Sequence, residues 1–196
     1  GYRLGETILG DVSRFATRQF FPAERRSMKR VAIAAGWAFL SVMPLQITAG
    51  AEMVVQACFS PQGKCSVHIL REIESAKQEL LVAVYAFTSE DLATALVQAK
   101  KRGVAVQVVV DREFDRTNEN SKGKLLEAQK IPVRRISGTA AKTAEKDAGI
   151  MHQKFAVIDR RTVFTGSYNW THSAENRNDE NLLMFRDARP LAEEYR

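Results

Sequence analysis

The chain is poor in the residues that define several protein classes. It has two cysteines among 196 residues. That excludes a disulfide-dense scaffold and a multi-zinc protein. Three histidines leave little material for histidine-rich metal sites. Five prolines and eleven glycines are too few for a collagenous or low-complexity chain. No apolar run reaches the length of about 20 residues that a membrane-spanning helix needs; the longest mostly apolar run is Val31–Met43. No internal repeat is visible. What the chain does have is 45% hydrophobic residues, enough for a real core, and a length typical of one domain with an appended segment.

Net charge is +6, which suggests an anionic partner, but the charge is unevenly placed. Residues before Glu52 carry +4 of it, and the chain from Glu52 onward only +2. The early segment reads as an address. Met28-Lys29-Arg30 is a short basic start, Val31–Met43 an apolar run, Pro44 a helix breaker and Ala49-Gly50-Ala51 a small-residue cleavage pattern. Together they predict a secretory signal peptide at 28–51, cleaved after Ala51. The competing readings are a buried core helix and an uncleaved anchor. Residues 1–27 have no assignable role. The expected product is a secreted, periplasmic domain, 52–196, with no stable membrane association after cleavage.

Export changes the meaning of Cys58 and Cys65. Around Pro61 and Gly63, in an oxidising compartment, they are expected to close a turn as a local disulfide. A zinc site that adds His68 has only three ligands at unusual spacing, and His68 reads better as a helix-surface residue.

The rest of the chain alternates two periodicities. Val67, Leu70, Ile73 and Ala76 recur at helical spacing, predicting a helix over 66–79. Leu80–Phe87 and Val104–Val110 are continuous apolar runs, as in strands buried on both faces. Between them lies a helical pattern opened by Thr88 and Asp91 as a capping box and ended at Gly103. Strand, helix, strand implies a right-handed βαβ unit. A short helix at 122–129, a strand at 133–136, a mobile loop at 137–149, a hairpin of 155–158 and 162–165, a strand at 182–185 and a helix opening at Pro190 follow. The expected class is α/β: a mixed, largely parallel sheet with helices on both faces.

Chemistry is concentrated between His152 and Glu180. In extended chain, alternate residues share a face. His152 and Lys154 point one way, and so do Ser167 and Asn169. An imidazole, a cation and two neutral hydrogen-bonding groups are thereby offered to one small anion. Imidazole can attack phosphorus or protonate a leaving oxygen. Lysine can neutralise a phosphoryl oxygen through charge-assisted hydrogen bonds. Gly166 allows close approach of backbone to a ligand.

The spacing His152-x-Lys154-x4-Asp159-x6-Gly166-Ser167 resembles the HKD signature of the phospholipase D superfamily. From about Val54 onward the chain is similar to the small secreted bacterial endonucleases of that group, which carry one such motif per subunit. Phe59-Ser60-Pro61, the Ala83–Thr88 strand end and the Gly166–Thr171 run share in the likeness. The resemblance implies a phospholipase D-like fold and a metal-independent phosphodiesterase with no cofactor. His152 would be the nucleophile that becomes a phosphohistidine, and Lys154, Ser167 and Asn169 the phosphate ligands. Glu180 would be the carboxylate that orients the imidazole, with Asp159 and Gly166 structural. Because two histidines are needed, a homodimer with one composite site is expected. The implied substrate is nucleic acid, DNA ahead of RNA, cut without sequence preference. A lipid phosphodiesterase and a non-catalytic DNA-binding protein are the alternatives. His172 could touch substrate, and among the basic pairs Arg134-Arg135 is the better candidate for a phosphate backbone. Tyr168 and Trp170 should face the core.

Overall fold

A computed structural model describes residues 52–138 and 149–196. The signal-peptide reading at 28–51, the upstream segment 1–27 and most of the expected loop lie outside the described residues.

A seven-stranded sheet in the order β1-β7-β6-β5-β2-β3-β4 forms the centre. Its strands are β1 (Val54–Ser60), β2 (Glu79–Val84), β3 (Ala105–Asp111), β4 (Val133–Ile136), β5 (Lys154–Ile158), β6 (Thr162–Gly166) and β7 (Glu180–Arg186). The helices are α1 (Cys65–Ser75), α2 (Glu90–Lys101), α3 (Arg112–Thr117), α4 (Gly123–Ala128), α5 (His172–Asn176) and α6 (Arg189–Glu194).

The sheet has two characters. β2, β3 and β4 pair in parallel, as apolar runs joined through helices dictate. β2–β5, β5–β6, β6–β7 and β7–β1 are antiparallel. The expectation of a largely parallel sheet therefore holds in the first half and not in the second. There the connection between β5 and β6 is too short for a crossover, so the chain must turn back on itself. Arg161 N donates to Ile158 O at 3.1 Å, and Asp159 and Arg160 both take positive φ, 50° and 56°, which is the conformation of a tight primed hairpin turn.

One face of the sheet is covered by α1, α2, α4 and α5. Ile69, Ile73, Leu92, Leu96, Leu126 and Ala174 pack there against Leu80, Val82, Val84, Val106, Val108 and Phe164. The other face is thinner. Leu81, Ala83, Val109, Phe155, Val157 and Val163 meet Met151, Ala192 of α6 and the half-buried Tyr195. Burying strands on both faces this way accounts for their unbroken apolar runs.

Local expectations need small corrections. Ser89, not Thr88, caps α2: its side chain accepts from Leu92 N at 3.3 Å. α1 ends at Ser75, earlier than its apolar periodicity suggests, and β7 extends over Glu180–Arg186. β1, α3 and α5 carry no periodic signal and were not anticipated. Cys58 and Cys65 are joined, sulfur to sulfur at 2.01 Å, linking the end of β1 to the start of α1.

Candidate active site

Antiparallel and parallel pairings together bring five chain segments to one edge of the sheet. Val84 pairs with Lys154 on one side and Val110 on the other. The carboxyl ends of β2 and β3 therefore meet the amino end of β5. Phe155 pairs with Thr165 and Gly166 with Leu182, so the end of β6 and the start of β7 arrive at the same edge. A ligand site outside the carboxyl ends of parallel strands is the usual solution in α/β sheets.

His152 lies just before β5 rather than within it, and is exposed. Its ring packs against Tyr85, with centroids 4.8 Å apart and planes at 58°. Tyr85 in turn meets Phe114 at 5.4 Å. Burial against these neighbours and the Lys154 charge lower the proton affinity of His152, while the Asp111 carboxylate acts in the opposite sense. The imidazole is thereby favoured in the neutral form that a nucleophile requires.

Lys154 is only 7% exposed, an uncommon place for an ammonium. Its Nζ donates to His152 O at 2.7 Å and lies 5.2 Å from the centroid of the Tyr85 ring. Among the described residues no carboxylate is within ion-pair distance of it. Desolvation lowers its pKa, and the Glu180 charge offsets part of that effect. A buried cation without a bonded anion is costly unless a ligand supplies one.

Ser167 and Asn169 lie beyond the end of β6, not in a strand, yet the alternation anticipated for them holds. Tyr168 and Trp170 between and after them are buried at 2% each, while Ser167 and Asn169 remain partly open. Ser167 Oγ accepts from Asn181 N at 3.0 Å, and Ser167 N donates to Asn181 O at 3.1 Å. Its hydroxyl hydrogen is left for a ligand. Asn169 Oδ1 accepts from Ala86 N at 3.2 Å. That bond fixes the amide's orientation and leaves the NH₂ as a donor. Gly166 has φ 144°, and a Cβ there would come within 2.3 Å of Asn181 O, so a side chain is excluded where β6 and β7 meet.

Behind this row, Tyr168 Oη donates to Glu175 Oε2 at 2.5 Å, and Ser66 N donates to the same oxygen at 3.0 Å. Burial and the Glu175 bond push the Tyr168 phenol far above its ordinary range. The network ties the Ser167–Asn169 segment to the first turn of α1.

Asp159 sits at the far end of β5. Its Oδ2 accepts from Lys77 N at 2.8 Å, and its Oδ1 from Gln78 N at 2.7 Å and Glu79 N at 3.0 Å. It therefore fastens the β5–β6 turn to the start of β2 and takes no part in the site edge. Glu180 opens β7, where its Oε1 accepts from Asn178 Nδ2 at 3.0 Å. Within one chain its charge acts on Lys154, and the carboxylate whose charge acts on His152 is Asp111.

Several basic candidates are already engaged. Arg135 bonds Asp115 Oδ2 at 2.5 Å and both Glu127 oxygens at 2.6 and 2.9 Å, so it is a structural strut rather than a phosphate contact. Arg160 and Arg161 pair with Glu79 and Asp187. Arg102 caps α1 through Ile73 O at 2.8 Å. His68 is a half-buried residue of α1, and His172 is exposed at the start of α5, lining a separate cleft of about 340 Å³ with Ser89, Glu90 and Tyr168. Two residues of the site edge were missed by sequence reasoning, Tyr85 and Asp111. Tyr85 directly follows β2 and Asp111 ends β3, both in the parallel half, and that position was the available signal.

A family model described as "Cardiolipin synthase, PLD-like domain" matches residues 69–196. The chain is 36% identical over 142 residues to a phospholipase D of Rickettsia prowazekii, covering 72% of this chain and 63% of the relative. It is 36% identical over 131 residues to human mitochondrial cardiolipin hydrolase, covering 66% of this chain and 48% of that protein. The chain thus spans less than two thirds of the length of these curated relatives. Among solved structures, the phospholipase D family member Nuc from Salmonella typhimurium superposes with a TM-score of 0.65 at 36% identity, covering 74% of this chain and 90% of that one. NucT from Helicobacter pylori gives 0.65 at 32%, covering 72% and 89%. With His152, Lys154, Gly166 and Ser167 of the motif gathered at one sheet edge, and with a family match over most of its length, the chain belongs to the phospholipase D superfamily of phosphodiesterases.

Proposed function

We propose that the protein hydrolyses phosphodiester bonds of nucleic acid through a phosphohistidine, as a homodimer with a composite site, in the periplasm after removal of residues up to Ala51. The observation that carries the chemistry is Lys154, a nearly buried ammonium without a carboxylate partner among the described residues, at the sheet edge that also carries His152 and the free donors of Ser167 and Asn169. Such a set of groups matches an anion with several oxygens.

In this reading His152 attacks phosphorus, the P–O bond to the leaving group breaks, and the partner subunit's His152 gives that oxygen a proton. Water then cleaves the P–N bond, its proton passing to the partner subunit's His152. Lys154, Ser167 and Asn169 stabilise the charge that develops on the phosphoryl oxygens. They supply the charge stabilisation that paired metal ions supply in other phosphodiesterases, so turnover is expected to persist in EDTA. Nucleic acid is favoured because the likeness to Nuc and NucT extends over nine tenths of their chains, with a polar site edge in this one.

A lipid phosphodiester is the second reading. Phe59 and Ile150 are 65% and 51% exposed; Phe59 pairs with Asn181 of β7, and Ile150 lies two residues before His152. The curated relatives with lipid names also belong here. The test is incubation of purified 52–196 with plasmid DNA, single-stranded DNA, RNA and phosphatidylcholine or cardiolipin vesicles, in EDTA, beside His152→Ala. Nucleic-acid cleavage that is lost in the variant supports the proposal. Turnover of lipid alone would replace it with the second reading.

A further inference from the structure

Asp111 was not among the motif residues, and the mechanism above makes no use of it. It is 2% exposed, a carboxylate at the carboxyl end of β3. Its two oxygens do different work. Oδ1 accepts from Glu113 N at 3.0 Å and Phe114 N at 2.9 Å, capping α3. Oδ2 accepts from Met151 N at 2.9 Å, across 40 positions of sequence. Met151 is the residue before His152, and its side chain is 1% exposed between Leu81, Ala83, Val109 and Phe155.

The chain reaches His152 after residues 139–148, outside the described structure. Three attachments bring it back to the sheet. Gly138 N donates to Gly149 O at 2.5 Å, Met151 N donates to Asp111, and Tyr85 N donates to Gln153 O at 2.8 Å. Only then does β5 begin. His152 lies between the second and third attachments, so the Asp111 carboxylate is the side-chain anchor on its entry side.

We infer that Asp111 is a positioning residue for His152, holding the backbone that carries the imidazole and keeping a fixed negative charge beside it. The inference rests on the reading of His152 as the reacting group. The charged and titratable groups around His152 among the described residues are few. Lys154 stands on β5, Glu180 on β7 with its charge on Lys154, Tyr85 at the end of β2 and Asp111 at the end of β3. On α3, Glu113 and Arg116 are paired with each other at 2.6 Å. Asp111 is therefore the one carboxylate that favours the imidazolium, a form the catalytic cycle needs whenever the histidine donates or receives a proton.

The test uses the scarcity of histidine. With His68, His152 and His172 alone, each imidazole can be followed by NMR, the His152 signal being assigned by its loss in His152→Gln. Asp111→Asn keeps an oxygen to cap α3, but its amide cannot accept from Met151 N and carries no charge. Expected is a His152 titration moved to lower pH, both limbs of the kcat–pH profile moved the same way, and kcat reduced about tenfold to a hundredfold with KM little changed. A His152 titration coincident with wild type would overturn the inference. If Asp111→Asn does not fold, the wild-type Met151 amide decides: strong protection from hydrogen exchange supports the anchor, and exchange at an unprotected rate overturns it. Neither NMR measurement requires turnover, so an inactive wild-type protein would overturn the proposed function and leave this result standing.

Discussion

The two ends of β5 carry the same sequence motif and follow opposite rules. At its amino end, His152 and Lys154 are surrounded by groups that leave their polar valences open. The His152 ring packs at a tilt against Tyr85, and the Lys154 ammonium has a backbone carbonyl but, among the described residues, no carboxylate. At its carboxyl end, Asp159 receives three backbone N–H groups and closes a hairpin. Five residues of strand separate an end held ready for a ligand from an end that is internally satisfied. A polar group in a fold either completes its bonds within the chain, and stabilises it, or leaves them open, and can act.

The largest expected effect breaks the first end alone. His152→Ala should reduce phosphodiester turnover by roughly 10³-fold or more, as removal of a covalent nucleophile does. Its stability should stay within about 0.5 kcal/mol of wild type, because an exposed ring with no hydrogen bond among the described residues contributes little. Thermal unfolding measured beside the rate decides this. A large loss of Tm in His152→Ala would mean that the ring is a packing element, and the contrast would fail.

Asp159→Ala should invert the pattern. Three charge-assisted N–H bonds are lost, two of them at the surface where water can replace the carboxylate, and an alanine is left with φ near 50°. We expect about 2–4 kcal/mol of destabilisation in urea, with activity per folded molecule close to wild type. Loss of turnover without loss of stability would place Asp159 in the chemistry.

This difference between the two ends bears on what could be read from residues alone. Motif spacing and strand alternation singled out His152, Lys154, Ser167 and Asn169, which the fold brings to one sheet edge, because each lies within a few residues of a strand end and strand alternation is local. Tyr168 and Trp170 were placed in the core by the same alternation. The buried runs of β2 and β3 announced a parallel unit. Three things were beyond that local signal. Asp111 reaches Met151 across 40 positions, and nothing in its own neighbourhood distinguishes it from an ordinary helix cap. Arg135 had the composition of a phosphate contact, and only the fold shows its guanidinium filled by Asp115 and Glu127. β1 is an edge strand with Val54 and Val55 about half exposed, so its faces lack the apolar alternation that sequence patterns detect. The expected pairing of Glu180 with the imidazole came from resemblance; within one chain its charge acts on Lys154.

A smaller effect concerns pH. Burial and Lys154 hold the folded-state pKa of His152 below its unfolded value. The unfolded chain then binds more protons than the native one between those two pKa values, so the contribution of His152 to stability falls as pH falls through that window. It disfavours folding below the folded pKa and has no effect above the unfolded one, near 6.5. His152→Gln removes the titration. Its Tm relative to wild type should be higher near pH 5 than near pH 8. A constant difference would show that the imidazole titrates as it does in an unfolded chain, leaving no electrostatic distinction between the amino end of β5 and ordinary surface.

The smallest effect tests how far the carboxyl end is optimised. Asp159 and Arg160 occupy the two central positions of a primed turn, both with positive φ. Asparagine or aspartate followed by glycine is the favoured pair for that geometry. Asp159 meets the first preference and adds its three bonds, whereas Arg160 holds a left-handed conformation that costs an L-residue about 1 kcal/mol. Arg160 retains a pairing with Glu79 at 3.3 Å, but its side chain is half exposed, and Glu79 is also bonded by Arg196 at 2.7 Å. An exposed, shared ion pair is worth a few tenths of a kcal/mol. Arg160→Gly should therefore stabilise the protein by about 0.5 kcal/mol in urea unfolding, with turnover unchanged. A destabilised Arg160→Gly would mean that the Arg160–Glu79 pair outweighs the turn strain, and that the closed end of the motif depends on side-chain charge at both turn positions.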